Sequence, residues 1–272
     1  MKLRILLHIL LVVVIGAGLS GCKSVKLKDA DEQMERGEFN EAAKTYRKIY
    51  NRLTKKEERP LRGEVAYKMA TCLRRLNQAS RASAAYQNAI RYEYPDSMAW
   101  YWLGRSLQAE GKYTQAMQAY RTFLEWQPDN LLAKEGLKGS MMAEKARKEP
   151  KTRYVVRNAK LFNSRRADFA PMYLDKSLDQ LYFTTTNEKV TGDNRSEITG
   201  MKKSDIWVAR KDEQGRWMRP EPVEGELNSE MDEGIISFSP DGQTMYLTVA
   251  KRSPTADTSV EIYTSQRTDA SW

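Results

Sequence analysis

Histidine and cysteine are scarce in this 272-residue sequence, which contains one histidine and two cysteines. The single histidine, His8, lies in an N-terminal segment that we expect to be removed, so the mature chain would have none. That absence excludes serine–histidine and cysteine–histidine catalysis and histidine metal sites. Phosphate-binding glycine loops, Cys-x-x-Cys pairs and His-Glu-x-x-His helices are also missing. We therefore expect no enzyme activity, no cofactor and no metal site.

The two cysteines have separate positions and separate expected roles. Cys22 ends the N-terminal segment, and Cys72 occupies a small-residue position on the apolar face of a predicted helix. A buried free cysteine behaves as a small apolar residue, so we expect Cys72 to be structural rather than a nucleophile. A lone thiol forms no internal disulfide bond, so the cysteine count does not argue against an oxidising compartment.

Residues 1–21 have the features of an export signal. Lys2 and Arg4 precede an apolar run from Ile5 to Val14, which is short for a transmembrane helix, and small residues follow it. The alternative is a signal anchor in which Cys22 is incidental. The segment Leu19-Ser-Gly-Cys22 resembles the lipobox of bacterial lipoproteins. That resemblance implies cleavage before Cys22 and lipidation of its thiol, and several acyl chains anchor a protein stably. It implies an outer-membrane lipoprotein that faces the periplasm.

A 34-residue pattern from Ser97 to Asn130 predicts a pair of packed helices. Its apolar and small residues recur at helical spacing, Gly111 suits the positive φ of a helix end, and Pro128 ends the second helix. The residues at the signature positions are Trp100, Leu103, Gly104, Leu107, Ala116, Tyr120 and Phe123. This pattern resembles the tetratricopeptide repeat.

One such repeat cannot bury its own apolar face, so neighbouring copies are expected. The predicted repeats and the solvating cap helix that follows them occupy about 23–56, 63–96, 97–130 and 131–148, within an all-α solenoid domain of residues 22–148. A charged insertion at 54–60 separates the first two copies.

The first helix of each repeat, helix A, lines the groove of a tetratricopeptide array. By the family pattern, the groove residues are Tyr67, Thr71, Arg74, Arg75, Tyr101, Arg105 and Gln108. Tyrosine and arginine are common in binding hot spots, and a groove of three repeats suits an extended or helical peptide. The resemblance implies that these residues bind a segment of another envelope protein. An ordinary solvated surface is the alternative.

The second half of the chain changes from helical to alternating periodicity after a linker at 149–165. The predicted strands are 181–185, 205–209, 235–238, 244–249 and 261–264. Between two of them, Ser239-Pro-Asp-Gly242 is typical of a hairpin turn, because proline presets φ, aspartate caps the turn and glycine accepts positive φ.

Several segments of this half occur twice. The paired segments are Ala170-Pro171 with Ser239-Pro240, Asp205-Ile-Trp207 with Glu261-Ile-Tyr263, and Arg216-Trp217 with Ser271-Trp272. They resemble the Ser-Pro-Asp-Gly repeats of bacterial β-propellers, whose blades have four strands. The resemblance implies about two blades over 166–272. Two blades cannot close a ring, so we expect a piece of a longer protein. A complete chain with an open meander and exposed edge strands is the alternative.

The charge of the chain bears on its expected partners and on a possible calcium site. The net charge of +9 favours an acidic protein partner or anionic lipid over nucleic acid in an exported protein. The acidic stretch Glu230-Met-Asp-Glu-Gly234 could suggest a calcium site, but it precedes a predicted strand and lacks the ligand spacing of a calcium loop, so we expect it to be structural.

A lipobox, tetratricopeptide repeats and propeller blades in this order resemble a family of exported lipoproteins, some of them in type IX secretion. In that family an OmpA-like peptidoglycan-binding domain follows the propeller. The resemblance implies a non-enzymatic scaffold that joins envelope proteins, with peptidoglycan bound only through a domain outside this sequence. The alternative is an envelope sensor whose propeller binds a glycan or another small molecule.

Overall fold

The computed structural model describes residues 26–149, 154–196, 198–251, 259–268 and 271–272. The chain divides between Glu144 and Lys145 into two compact units. The first contains paired helices and the second antiparallel strands, which is the predicted fold class. The predicted signal peptide and Cys22 lie outside the described residues.

Seven α-helices are present in the described chain. They are α1 (Leu27–Glu35), α2 (Phe39–Arg52), α3 (Arg59–Arg75), α4 (Ala79–Arg91), α5 (Met98–Ala109), α6 (Tyr113–Trp126) and α7 (Leu131–Lys148). The helices pack as three successive pairs: α1 with α2, α3 with α4, and α5 with α6. Helix α2 also packs on α3, and α4 packs on α5. Helices α1, α3 and α5 are thus the three A helices.

Each A helix ends in the same way. Gly37, Asn77 and Gly111 have φ values of 78°, 54° and 73°, in the left-handed region. The Gly111 amide donates to Gln108 O and the next amide donates to Leu107 O, which satisfies carbonyls of the last helical turn. The role predicted for Gly111 is confirmed.

A column of tyrosines fills the core between the helices. Tyr46, Tyr86 and Tyr120 are completely buried on α2, α4 and α6. A Cβ atom on Gly104 would lie 2.9 Å from Tyr120 Cε1, which explains why this position is glycine. Cys72 is also buried, and burial raises the pKa of its thiol to about 12, as expected for a structural cysteine.

The start of α3 differs from the prediction. The expected insertion at 54–60 contains a short 3₁₀ turn, Lys56–Glu58, and the helix already begins at Arg59. Pro60 is compatible with this start because the first helical turn needs no amide donor there. Only the last two residues of the charged stretch therefore belong to helix A, directly after the 3₁₀ turn.

Helix α7 has the predicted bounds, and its outer surface carries both charged and large apolar side chains. Four large apolar side chains are exposed on it: Leu131, Leu132, Met141 and Met142. The buried side of the helix consists of the small residues Ala133, Gly136 and Ser140. A Cβ atom on Gly136 would lie 2.5 Å from Tyr120 Cζ, so the close approach of α7 to α6 leaves no space there for large side chains.

The strands of the second unit form two antiparallel sheets. The first has β1 (Asp168–Tyr173), β2 (Gln180–Thr185), β3 (Asp205–Arg210) and β4 (Glu221–Pro222), in that order. The second has β5 (Asp232–Phe238), β6 (Thr244–Lys251) and β7 (Ser259–Gln266). Tyr182, Ile206 and Val208 of the first sheet share one apolar core with Met245 and Leu247 of the second.

The turn between β5 and β6 has the predicted chemistry. The Ser239 amide donates to Thr244 O over 2.9 Å, the Asp241 carboxylate accepts from the Gln243 amide, and Gly242 has a φ of 68°. Pairing of Phe238 with Met245 fixes the register of the hairpin.

The predicted match of Ala170-Pro171 to Ser239-Pro240 is incorrect. The structural equivalent of that turn lies between β1 and β2, where the Leu178 amide donates to Asp175 O and Leu178 has a φ of 58°. Ala170 instead lies in a bulge of β1 that corresponds to the bulge at Ile235 in β5. The first turn lacks proline and glycine, and its turn signal is limited to Asp175, whose carboxylate accepts from the Ser177 amide over 2.8 Å.

Candidate protein-binding face on the A helices

Three of the predicted groove residues meet around the buried Tyr86 on α4. The Tyr67 ring lies edge-on to the Tyr86 ring, with centroids 5.6 Å apart. The Thr71 hydroxyl is 3.2 Å from the Tyr86 hydroxyl, and Arg74 Nε donates to that hydroxyl over 3.4 Å. All three lie along α3 at intervals of three or four residues, so helical spacing places them on one side. Each is half-buried, which leaves part of its surface accessible.

Arg74 also connects α3 to the next A helix. Its guanidinium carbon lies 3.7 Å from the centroid of the Trp102 ring on α5, a close cation–π contact. Arg105 follows Trp102 by three residues on the same helix and is exposed. Among the described residues, neither Arg74 nor Arg105 has a carboxylate within ion-pair distance. We call Tyr67, Thr71, Arg74, Trp102 and Arg105 the A-helix face.

Gln108 is the structural counterpart of Arg74, one repeat later. The Tyr120 hydroxyl donates to its Oε1 over 2.8 Å, and its Nε2 donates to Gly136 O over 3.5 Å. Burial raises the pKa of Tyr120, and the nearby positive charge of Arg105 partly opposes this. The Gln108 side chain is therefore engaged by α6 and by α7, and both of its polar atoms are used inside the helical unit.

Tyr101 must be removed from the predicted set. Its side chain is only 4% exposed and packs on Tyr120 and Phe123 of α6, with ring centroids 6.1 and 5.5 Å away. The prediction assumed that this position points away from helix B, whereas the tyrosine faces it. Tyr101 is thus a core residue that provides no accessible contact area.

Arg75 lies on a different side of α3. Its guanidinium carbon is 5.9 Å from the Phe39 ring on α2, so it points towards the preceding repeat. It remains exposed, but the structure does not group it with Arg74.

Two aromatic residues next to the predicted positions were missed. Trp102 lies under Arg74, and the Tyr94 ring stacks on the Tyr67 ring with centroids 4.5 Å apart. Trp102 lies one repeat, 34 residues, after Lys68, which bridges Asp31 and Glu64. The repeat spacing could have revealed Trp102 as a residue between adjacent A helices, but it carries no signal for Tyr94, which follows α4.

The described residues contain neither a metal-binding cluster nor a membrane-spanning helix. In residues 26–149 and the later described segments, no group of three or more potential ligands could hold a metal ion. No helix among them is sufficiently long and apolar to span a membrane.

Comparison with known proteins supports the helical repeats. The tetratricopeptide repeat family matches residues 67–130, from within α3 to the turn after α6, so the repeats predicted there are confirmed. No curated protein matches the chain. The helical unit thus has the fold of a protein-interaction scaffold.

Solved structures with similar helices cover slightly less than half of this chain. The first TPR of Spaghetti (RPAP3) bound to the HSP90 peptide SRMEEVD is 20% identical over 43% of this chain and 89% of that chain, with a TM-score of 0.36. The first TPR domain of human RPAP3 gives 20% identity, 43% and 88% coverage and a TM-score of 0.36. The Sgt2 TPR domain from Aspergillus fumigatus gives 20% identity, 48% and 87% coverage and a TM-score of 0.38.

Proposed function

We propose that this protein is a non-enzymatic scaffold that binds an acidic segment of a partner protein on its A-helix face. The observation that supports this most directly is the arrangement of Arg74 and Arg105 on adjacent A helices, separated by Trp102 and without carboxylate partners in the described chain. An arginine without an internal ion pair can offer its guanidinium to carboxylates of a partner.

The chemistry of the face indicates the kind of segment that it suits. Arginine binds carboxylates through paired hydrogen bonds, and the half-buried rings of Tyr67 and Trp102 supply rigid apolar contact area. The positive net charge of the chain would also speed encounter with an acidic partner, and added salt would reduce this effect. An extended peptide with alternating acidic and apolar residues would satisfy both kinds of contact.

The proposed setting is the cell envelope. The lipobox-like segment that ends at Cys22 supports a lipid-anchored outer-membrane protein facing the periplasm. The order of lipobox, helical repeats and antiparallel sheets supports a scaffold of envelope proteins, with type IX secretion as the narrower proposal. In this proposal the sheets are propeller blades, and a parent protein would bind peptidoglycan through a further domain.

The test compares two double charge reversals in the full chain. Arg74→Glu with Arg105→Glu should sharply reduce the envelope proteins that co-purify, because the partner's carboxylates would meet negative charge. Arg81→Glu with Arg121→Glu makes the same charge change at exposed positions on the B helices α4 and α6 and should leave capture intact. Helical circular dichroism should be unchanged in both, since loss of the Arg74 cation–π contact and of its hydrogen bond to Tyr86 costs about 1–3 kcal/mol, less than the stability of a typical domain. Equal capture by the two double variants would show that the A-helix face is not the partner site.

Small-molecule binding by the sheet unit is the second candidate function. One observation favours it, namely a cavity that contains a buried carboxylate with an unused oxygen.

A further inference from the structure

Glu233, at the start of β5, is a buried acid with one carboxylate oxygen that lacks a hydrogen-bond donor. The residue is 1% exposed. Its Oε1 accepts a hydrogen bond from the Ser229 hydroxyl, whereas its Oε2 is buried and has no partner. Burial raises the pKa of this carboxyl, which reflects the cost of holding its charge away from water. A buried acceptor without a donor is costly, so a missing donor at this oxygen calls for an explanation.

The first sheet contains the same arrangement with the donor present. Asp168 pairs with Thr185 across β1 and β2 in the position where Glu233 pairs with Val249 across β5 and β6. The Thr185 hydroxyl donates to Asp168 Oδ1 over 2.6 Å, and the Ser164 amide donates to Oδ2. Val249 has no hydroxyl, so the second sheet lacks the donor that completes the first.

The unsatisfied carboxylate lies in the wall of a cavity. The cavity has a volume of about 390 Å³, and its apolar lining includes Leu227, Met231, Val249 and Trp272. This volume falls within the range of about 300–1,000 Å³ that is usual for small-molecule sites. A ligand in this space would lie next to Glu233 while burying an apolar part against these side chains.

The charges around the cavity favour a cation. Its charged lining residues are Glu226, Glu233 and Lys251. The Lys251 ammonium is already engaged, because it lies 3.3 Å from Glu261 Oε2 and 4.5 Å from the Tyr263 ring centroid. The charge of Lys251 is thus balanced by Glu261, and the two carboxylates of the lining have no balancing cation among the described residues.

We propose that this cavity binds a small primary amine, whose ammonium donates to Glu233 Oε2 and whose alkyl chain packs on Leu227, Met231 and Val249. An ammonium supplies both the missing donor and the missing positive charge. A carboxylate ligand would be repelled by Glu233, and an alcohol would supply a donor without charge. The site is in the sheet unit and does not depend on the function proposed for the helices.

The test measures binding of n-hexylamine to the full chain by titration calorimetry, with n-hexanol and hexanoate as matched probes. Hexylamine should bind the wild-type chain at one site, and the other two probes should bind at least about tenfold more weakly, as expected when a charged hydrogen bond is absent. Glu233→Gln should weaken hexylamine by a similar factor while keeping the shape of the side chain.

Two further variants separate the proposal from a general loss of structure. Val249→Thr supplies in the second sheet the hydroxyl that Thr185 supplies in the first, so it should keep the fold and still weaken hexylamine. Glu230→Gln makes the same chemical change as Glu233→Gln on an exposed carboxylate that does not line the cavity, and it should bind hexylamine like the wild type. The proposal is overturned by absence of wild-type binding, by equal binding of hexanol or hexanoate, or by unchanged affinity in Glu233→Gln and Val249→Thr.

Discussion

The three core tyrosines of the helical unit show how a polar atom is accommodated in a completely buried side chain. The Tyr46 hydroxyl donates to Asp31 over 2.6 Å, and the Tyr120 hydroxyl donates to Gln108. The Tyr86 hydroxyl lies within hydrogen-bonding distance of Thr71. In each repeat, the partner is a polar residue of helix A. The hydroxyl groups thus hold helix A side chains in place within each repeat, in addition to the apolar area that the rings bury.

Asp205 is a second buried acid of the sheet unit at which pH should affect stability. It is 1% exposed, its Oδ2 accepts from the Thr191 amide over 2.6 Å, and its Oδ1 is buried without a partner. Burial raises the pKa of Asp205 above its ordinary value, against smaller opposing effects from Thr191 and Lys202. The folded state therefore holds a proton on this residue over a pH range in which the unfolded state has lost it.

The raised pKa of Asp205 determines how the free energy of unfolding of the sheet unit changes with pH. Stability should fall as pH rises from the ordinary aspartate pKa of about 3.9 to the raised folded value, and the loss should persist at neutral pH. Asp205→Asn, which carries no charge, should be more stable than the wild type at pH 7, and this advantage should disappear towards pH 3. Urea unfolding with pulsed hydrogen exchange of β3 peptides measures the effect. The fully exposed Asp129→Asn is the control, and an Asp205→Asn advantage independent of pH would contradict the assignment.

At the scale of single elements, the C-terminal ends of the A helices allow the effect of backbone conformation on stability to be tested apart from the effect of packing. Gly111 and Asn77 occupy equivalent positions with positive φ, and a Cβ atom on Gly111 would meet nothing within 4 Å. Gly111→Ala should therefore destabilise the helical unit through backbone strain alone, by about 1–2 kcal/mol. Asn77→Gly places the more tolerant residue in the same conformation and should leave stability equal or slightly higher. Thermal unfolding followed at 222 nm tests the pair, and a Gly111→Ala variant as stable as the wild type would contradict the strain argument.

The elements also show what local sequence could and could not predict. The Ser239-Pro-Asp-Gly242 turn was predictable because each residue has a strong conformational preference. The equivalent turn at Asp175–Leu178 was not, because Leu178 adopts positive φ under the constraint of its strands. The two-residue strand β4 was missed for a similar reason. Its Pro222 donates no hydrogen bond, and the strand exists through its pairing with Trp207 and Val208.

The residues of the A-helix face were predicted only in part, for reasons that concern packing between elements. Arg74 and Arg105 were placed correctly on the A helices, because the repeat spacing fixes the side of a helix on which a residue lies. Repeat spacing does not determine whether a side chain is buried between neighbouring helices. Tyr101 was therefore assigned to the face although it is buried, and Trp102 was overlooked although it supports Arg74.

At the scale of the whole molecule, two cores of different composition reflect the two periodicities of the sequence. The helical core combines alanines with tyrosines, which lets large rings pack against small partners on adjacent helices. The core of the sheet unit consists mostly of branched and aromatic residues on alternate strand positions. This division was predictable because a change from helical to alternating periodicity is a property of long segments, in which single exceptions do not obscure the pattern.

The proposed attachment of the molecule to a membrane depends on one residue, Cys22, and this makes it directly testable. The lipobox-like Leu19-Ser-Gly-Cys22 motivates the proposal, and a thioether-linked diacylglycerol forms only on a cysteine side chain. Cys22→Ala, expressed in a bacterium with the lipoprotein pathway, should lose incorporation of labelled palmitate and move from the membrane fraction to the soluble periplasm. Cys72→Ala is the matched control, because that thiol is buried among the helices and should not be lipidated. Unchanged palmitate labelling in Cys22→Ala would refute the lipid anchor, and the scaffold would then need another route to the envelope.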